Sequence, residues 1–427
     1  MPRTAALLLA LAVATPSPAD DWPQWRGPRN DGSSAETGLP TEWGPDKNVA
    51  WKFKLPGVGS STPCIWGDHI FLTAQDGTDV YLLNIGTNGR EKWRRPVGSG
   101  EFFTRGDEGG NLATPSPSSD GRMVYVFVGS GLLAAFDFAG NQVWGVNLSD
   151  KYGKFTAGSK AIQFGPHWTP VLDRGKLYQV LLHRKAQLVL CFDAATGKEL
   201  WQTSRPSDSP PGTESPDVYA SPFVWRNGDR AALIVHGNDY CTAHDLADGK
   251  ELWRVMGLNP KAKYNRTWRA VSSPLVTPDL IVVPSCKNGV TVGVDPLKAS
   301  GEIAPGTPGE LWRMPKGTPD VPSPVRVGDA VYLWRETKTL TAVDARTGKE
   351  LYSEDLTNTR HRANPVAADG KLYLVGREGD MPVVKAGREF ELVAKNKLPD
   401  TFTASPAVAG GRLYFRGWDY LWAVGAK

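Results

Sequence analysis

Short apolar runs alternate with polar turns along almost the whole chain. The runs 176–182 (KLYQVLL) and 371–375 (KLYLV) are rich in aromatic and β-branched residues, and Gly-containing pairs such as Arg174-Gly175 separate them from their neighbours. Such runs, bounded by turn residues, are typical of strands joined in hairpins. No segment keeps the 3.6-residue period of an amphipathic helix. The pattern therefore predicts an all-β protein.

A nine-residue phrase recurs within this pattern. It reads DAATGKELW at 193–201, DLADGKELW at 245–253 and DARTGKELY at 344–352. We interpret each copy as the hairpin between the third and fourth strands of a repeat, in which the Asp caps the turn and the Gly takes a positive φ. The terminal aromatic ring is expected to wedge between neighbouring repeats. Weaker copies end at Trp93, Trp144 and Trp312.

A proline before a short apolar run marks the first strand of each repeat, and these prolines recur every 41 to 55 residues. They are Pro63, Pro115, Pro170, Pro222, Pro274, Pro324, Pro365 and Pro406. A strand-rich period of this length is typical of the four-stranded blades of a propeller. The last repeat stops after its third strand, near Val424.

The missing fourth strand is found near the N-terminus, where 48–53 (NVAWKF) carries the aromatic ending of the other repeats. The sequence thus predicts an eight-bladed β-propeller of four-stranded antiparallel blades, closed by an N-terminal strand that completes the C-terminal blade. Closure would leave no exposed sheet edge between the two ends. A seven-bladed ring with one degenerate repeat is the alternative.

Residues 1–19 have the composition of a secretory signal peptide. Arg3 precedes the apolar run 5–14, which is too short to span a bilayer, and small residues follow at 17–19. We therefore divide the chain into a signal peptide (1–19), an N-terminal strap (20–47) and a propeller (48–427). We expect a periplasmic or secreted monomer without a transmembrane segment.

Charge and cysteine content narrow the function classes. The net charge is only +4 over 427 residues, which argues against a nucleic-acid partner. Four isolated cysteines lie in apolar runs at spacings that match no metal site or disulfide framework. We expect buried free thiols and no metal, although an exported protein also permits disulfides. The four are Cys64, Cys191, Cys241 and Cys286.

The phrase A-x-D-x-x-T-G-K-E-x-x-W resembles the tryptophan-docking motif of pyrroloquinoline-quinone (PQQ) propellers. It is clearest at 342–352 and 191–201, and the segment DWPQWRG at 21–27 resembles the same superfamily. One branch, the quinoprotein alcohol and sugar dehydrogenases, implies PQQ with calcium, a catalytic Asp and often a pair of adjacent cysteines. Adjacent cysteines are absent from this sequence, which has no clear match for the calcium ligands or the catalytic Asp. The other branch, exported propellers of the outer-membrane-assembly type, implies a non-catalytic role in protein binding.

Ligands of propellers usually sit where the loops between blades converge. Four of these loops, after Trp93, Trp144, Trp201 and Trp253, have about 20 residues, whereas the others have roughly 10 to 13. Loops longer than the fold needs are often functional. We expect them to form a wall over blades two to five.

Cations and aromatic residues gather just before the prolines and after the second strands. Such a mouth would focus positive potential and would suit an anionic, flat, carboxylated ligand or an acidic peptide. The candidate ligand-binding residues are Arg105, His167, Trp168, Tyr219, Arg266, Trp268, Arg269, Arg335, Arg360, His361, Arg362, Arg377 and Arg416.

These observations favour an exported, non-catalytic propeller without a cofactor, serving as a binding or scaffold module for an anionic ligand or an envelope protein. The first alternative is a PQQ-dependent oxidoreductase of alcohols or sugars that also binds calcium. The second alternative is a sugar-binding or sugar-processing propeller. No catalytic residue is assigned.

Overall fold

Strands connected by tight turns make up most of the computed structural model, which describes residues 21–103, 110–155 and 159–426. The described strands form eight sheets. Blade one contains β2 (Cys64–Trp66), β3 (His69–Asp76), β4 (Asp79–Gly86) and β5 (Glu91–Ser99). Blade two contains β6 (Ser118–Ser119), β7 (Met123–Phe127), β8 (Leu132–Asp137) and β9 (Gln142–Asn147). Blade three contains β10 (Val171–Asp173), β11 (Lys176–His183), β12 (Ala186–Asp193) and β13 (Glu199–Ser204).

The remaining blades repeat this order. Blade four contains β14 (Phe223–Asn227), β15 (Arg230–Gly237), β16 (Tyr240–His244) and β17 (Glu251–Val255), to which β21 (Gly301–Ile303) adds a fifth, parallel strand. Blade five contains β18 (Leu275–Val276), β19 (Ile281–Pro284), β20 (Thr291–Val294) and β22 (Glu310–Met314). Blade six contains β23 (Val325–Val327), β24 (Ala330–Trp334), β25 (Thr337–Asp344) and β26 (Glu350–Arg360). Blade seven contains β27 (Val366–Ala368), β28 (Lys371–Tyr373), β29 (Asp380–Lys385) and β30 (Leu392–Lys397).

Blade eight joins the two ends of the propeller. It contains β31 (Ala407–Ala409), β32 (Arg412–Arg416), β33 (Tyr420–Val424) and, as its outer strand, β1 (Val49–Lys54). The antiparallel register pairs Trp51 with Ala423 and Lys54 with Tyr420. The predicted eight-bladed ring and its closure by the N-terminal strand are therefore confirmed.

Helices are short in the described part of the chain. They are α1 (Leu148–Tyr152) and a 3-10 turn (Lys261–Lys263). No described helix has the length and apolarity that crossing a membrane requires.

Burial follows each strand's place in its blade. The middle strand β11 is buried along nearly its whole length, because neighbouring blades cover both of its faces. The outer strand β13 alternates between half-buried and exposed positions, as a strand with one covered face does. This explains why the inner runs of the sequence are continuously apolar.

The recurring nine-mer joins successive blades. In the copy at 193–201, the Asp193 carboxylate accepts the Thr196 backbone N–H at 2.8 Å. Gly197 has φ +70°, and a Cβ there would lie 2.5 Å from the ring of Trp144 in the preceding blade. The Trp144 indole N–H donates to the Ala194 carbonyl at 2.9 Å. The expected wedging of the terminal ring between blades is thus confirmed, and Trp51 docks on Gly89 in the same way at the closure.

The four cysteines are free and buried, as expected.

Candidate functional site

A girdle of seven hydrogen bonds runs around the propeller axis from blade one to blade eight. In blades one to seven, the residue directly before the strand-one proline donates its backbone N–H to the side-chain oxygen at the same position of the next blade, as Thr169 does to Ser221 at 2.9 Å and Ser221 to Ser273 at 3.0 Å. The girdle comprises Thr62, Ser116, Thr169, Ser221, Ser273, Ser323, Asn364 and Ser405. The girdle residue of blade two is Ser116, which directly precedes Pro117. The repeat proline of this blade is therefore Pro117, and the prediction of Pro115 was wrong.

A second ring of side chains lines a chamber on the propeller axis. Each of its residues stands two positions before the girdle residue of the same blade. Side chains alternate along an extended strand, so the positions one and three residues before the proline both face inward. This second ring takes one residue from every blade: Ser60, Thr114, His167, Tyr219, Val271, Val321, Arg362 and Thr403. The chamber it encloses has a volume of about 110 Å³.

The N-terminal strap closes the chamber from the other side. It crosses the first strands about two residues after the prolines, where the Trp22 backbone N–H donates to the Ile65 carbonyl at 3.0 Å and the Ser119 backbone N–H donates to the Pro23 carbonyl at 2.9 Å. Trp25 follows, packs on Phe223 with ring centroids 6.0 Å apart, and lines the chamber. The axial channel is therefore bounded by Trp25 at the strap, and it widens at the opposite end.

At that wider end lies a second lobe of about 210 Å³, which shares His167, Tyr219 and Arg362 with the chamber. Three guanidinium groups and two carboxyl groups line this lobe, which we call the mouth. They belong to Arg269, Arg360, Arg362, Asp320 and Glu336.

Ion pairs hold the cations of the mouth in place. Arg362 Nη2 lies 3.6 Å from Glu336 Oε1, and Arg269 Nη1 donates to Glu214 Oε2 at 2.6 Å. Burial raises the pKa of the Glu336 carboxyl, and the nearby Asp320 carboxyl raises it further, whereas Arg362 opposes this shift. In the lining of the mouth, three guanidinium groups face two carboxyl groups, while the Glu214 carboxylate that pairs with Arg269 lies outside that lining.

His167 contributes polarity without charge at neutral pH. Burial lowers the pKa of its imidazole to about 4, and the nearby Arg362 and Arg269 act in the same direction. Its Nε2 lies 3.2 Å from the Phe164 carbonyl, and its ring lies 5.1 Å from that of Tyr219. Near neutral pH the chamber therefore offers anions guanidinium donors and a neutral imidazole.

The structure brings together five of the candidate residues at this site: His167, Tyr219, Arg269, Arg360 and Arg362. Whether they bind a ligand stays a prediction.

Three other candidates lie in the core and not at the mouth. Trp168 is fully buried and donates its indole N–H to the Val218 carbonyl at 2.7 Å. His361 is buried 3.8 Å from the Trp334 ring, centroid to centroid. Arg416 donates to the Thr73 carbonyl at 3.1 Å, and burial lowers the pKa of its guanidinium to about 9. Trp168 and His361 stand two and four residues before a proline, where strand alternation turns side chains away from the axis.

The remaining candidates lie around the mouth or beyond the description. Arg266 is exposed and donates to the Pro211 carbonyl at 2.6 Å, and Trp268 lines a small cavity next to the mouth. Arg335 is half-buried, and Arg377 lies 5.9 Å from the Trp418 ring centroid. Arg105 and the predicted signal peptide lie outside the described residues.

Residues that the sequence analysis did not select complete the site. Trp25 at the strap, Val271 and Val321 on the ring, and Asp320 in the mouth were not predicted. The ring residues share one signal, which is their position three residues before a repeat proline. Trp25 has no such signal, because its contacts are made with blades distant in sequence.

The donor set of the site suits an anion better than a metal ion. Within the described ranges, no three His, Cys, Asp or Glu side chains lie close enough together to hold a metal. The guanidinium groups of the mouth match carboxylate or phosphate oxygens, which they bind with charge-assisted hydrogen bonds. The four thiols are separate and buried, and burial raises the pKa of the Cys191 thiol to about 11. The described cysteines do not form the adjacent pair that is often present in PQQ dehydrogenases.

The sequence matches the family described as outer membrane protein assembly factor BamB over residues 36–151, 129–301, 299–388 and 338–425. A polyvinylalcohol dehydrogenase from a Pseudomonas species is 25% identical over 281 residues. That alignment covers 59% of this chain and 42% of the relative, so this chain spans less than two thirds of the relative's length.

Two solved structures share the fold. BamB from Moraxella catarrhalis superposes with a TM-score of 0.63 at 14% identity and covers 88% of this chain and 99% of its own. Quinohemoprotein alcohol dehydrogenase from Comamonas testosteroni gives a TM-score of 0.69 at 14% identity, over 97% of this chain and 82% of its own. At these identities the likeness extends to the fold alone.

Proposed function

The chain belongs to the family of outer membrane protein assembly factor BamB, and on that premise we propose that it is an exported, non-catalytic binding module for an anionic ligand. The axial chamber and mouth form the binding site. The ligand is a small polycarboxylate or phosphate compound, or an acidic segment of an envelope protein.

One observation carries the proposal: three guanidinium groups face a cavity whose other ionisable groups in the described lining are two carboxyls, the Tyr219 phenol and the neutral His167. A low-dielectric cavity with an excess of cations attracts anions and strengthens each contact once water is displaced. Tyr219 and Trp25 add aromatic surface for a flat ligand.

Isothermal titration calorimetry tests the proposal with three anionic probes, which are PQQ, a sugar phosphate and an acidic peptide. We expect saturable binding of at least one probe, and we expect the affinity to fall as salt is raised. Glucose serves as the uncharged counterpart of the sugar phosphate and should not displace a bound anionic probe. Absence of heat with every anionic probe would refute the proposed function.

A PQQ-dependent oxidoreductase is the second candidate, favoured by the sequence match to the polyvinylalcohol dehydrogenase. The mouth arginines are suited to the carboxylates of PQQ, which when bound would supply two-electron oxidation of an alcohol. Among the described residues, no three His, Cys, Asp or Glu side chains lie together as a candidate metal site. Dye reduction with alcohols and sugars, after addition of PQQ and Ca²⁺, separates the candidates, since sustained turnover would support the enzyme and overturn the non-catalytic proposal.

A further inference from the structure

A second cavity lies away from the axis, between two of the long loops beside blade four. We call it the rim groove, and it has a volume of about 440 Å³. Its lining combines Met256 and Tyr264 with the polar side chains of Asp208, Asp239 and Asn259. These loops follow Trp201 and Trp253, so the unusual loop length of the sequence builds this groove.

The polar groups of the groove are fixed in position before any ligand arrives. Asp239 Oδ2 accepts the Tyr264 hydroxyl at 2.5 Å, and Asp239 Oδ1 accepts the Asn259 amide at 3.2 Å. Asn259 is fastened in turn by the Asn265 backbone N–H, which donates to its Oδ1 at 2.9 Å. A preorganised set of this kind lowers the entropy that binding costs.

The groove is close to neutral in charge. Lys261 Nζ lies 3.5 Å from the Asp208 carboxylate, so the two charges at its rim offset each other. Burial raises the pKa of the Asp239 carboxyl, so this group keeps its proton to a higher pH than an exposed Asp does. The groove therefore lacks the cluster of guanidinium groups that the mouth offers to an anion.

Asp239 and Asn259 also line a smaller inner cavity of about 20 Å³, which continues from the groove towards Arg269. Two buried side chains line this inner cavity with hydrogen-bonding capacity that the described residues leave unused. The Ser285 hydroxyl has no partner there, and the backbone of Pro284 or Tyr240 can take up only the single N–H of a neutral His236 imidazole, which leaves its other ring nitrogen as an acceptor. Buried polar groups are rarely left unpaired, so each calls for a partner that enters the cavity.

The chemistry of these groups identifies that partner. A neutral imidazole presents one donor and one acceptor, and a serine hydroxyl presents both. A hydroxyl group satisfies such a set, and about 20 Å³ admits one oxygen atom. A carboxylate supplies acceptors only, and an ammonium group supplies donors only.

We infer that the rim groove binds a neutral polyhydroxylated chain, a saccharide or a polyol, with one hydroxyl inserted between His236 and Ser285. This second site lies outside the axial chamber and takes a different class of ligand. The volume of the groove falls within the range of small-molecule sites and suits a short oligomer.

Calorimetric titration with maltotetraose and with a vinyl-alcohol tetramer tests the inference and distinguishes the two sources of hydroxyl groups. We expect one of them to bind. Met256→Trp places a larger side chain in the groove from a half-exposed position and should abolish binding. Met314→Trp is the control and should leave binding unchanged, because Met314 lies at the corresponding end of the outer strand in blade five. Tyr264→Phe should weaken binding about five- to tenfold, through the loss of one hydroxyl from the set.

Thermal unfolding of each variant shows that it is folded before titration. Lack of binding by both probes to the wild-type protein would overturn the inference, and so would unchanged affinity in a folded Met256→Trp variant. Met256→Trp should leave the affinity for PQQ and for the acidic peptide unchanged, because these probes belong to the axial chamber. Failure at the groove therefore leaves the proposed function standing, and the converse also holds.

Discussion

Replacing Arg362 tests the electrostatics of the mouth most sharply. Its guanidinium lines both lobes of the site and lies 3.6 Å from the Glu336 carboxyl. Arg362→Gln removes the charge and keeps an uncharged hydrogen-bond donor on a shorter side chain. A hydrogen bond to a charged group contributes about 1.5–3 kcal/mol, so the affinity for the anion that binds the wild-type protein should fall roughly 10- to 150-fold.

The same substitution changes the proton balance of the mouth. Arg362 lowers the pKa of the Glu336 carboxyl, and its loss raises that pKa further. The pH below which Glu336 takes up a proton and withdraws its repulsive charge should therefore be higher in the variant, so the pH profile of anion binding should move to higher pH than in the wild type. Arg362→Lys retains the cation and should recover part of the affinity.

Arg326→Gln is the matched control. The Arg326 side chain is 22% exposed, as is that of Arg362, and it forms an ion pair with Asp279 at 2.7 Å outside the cavity lining. Its substitution should leave anion affinity unchanged. The electrostatic reasoning fails if Arg362→Gln binds like the wild type, or if both variants lose affinity equally.

Three further predictions concern the fold. Trp51→Ala removes the closing ring and its N–H donation to the Thr87 carbonyl, and it should lower the free energy of unfolding by about 3 kcal/mol. Trp51→Phe should lower the free energy of unfolding by about 1 kcal/mol. Equal urea midpoints for the two variants would contradict the docking role. Burial lowers the pKa of His236 and His361 to about 3 and that of His183 to about 4, so below pH 6.5 the unfolded chain binds protons that the folded chain does not. The free energy of unfolding should therefore fall between pH 6.5 and 4, by about 1 kcal/mol per histidine at pH 5.5. Urea midpoints that stay constant from pH 7 to 5 would argue against this burial. Because the cysteines are buried and burial raises the pKa of each thiol, Ellman's reagent should modify none of them in the folded protein and all four in urea, and rapid reaction of the native protein would disprove their burial.

The fold could be predicted because its information is local and repeated. Each hairpin carries its own Asp, Gly and aromatic residue, as Asp193, Gly197 and Trp201 do, and the spacing of the prolines counts the blades. The closing strand was found because Trp51 repeats an ending that the last blade lacks. Two strands that are far apart in the sequence can be predicted to pair when both belong to the same periodic pattern.

The site was only partly predictable, because it depends on side-chain direction. His167, Tyr219 and Arg362 stand three residues before a proline and face the axis, whereas Trp168 is one residue further along and packs into the core. Strand alternation separates these outcomes, and selecting every charged or aromatic residue near a proline does not. Trp25 could not be found at all, since the path of the strap depends on contacts with distant blades.

A crystal structure of the protein grown with its tightest-binding anionic probe tests the central claim directly. The account predicts that the ligand lies on the propeller axis between Trp25 and Arg362, with its charged oxygens within hydrogen-bond distance of Arg362 or Arg269. Density for the ligand at the outer surface of the blades, with an axial chamber that contains only water, would contradict it.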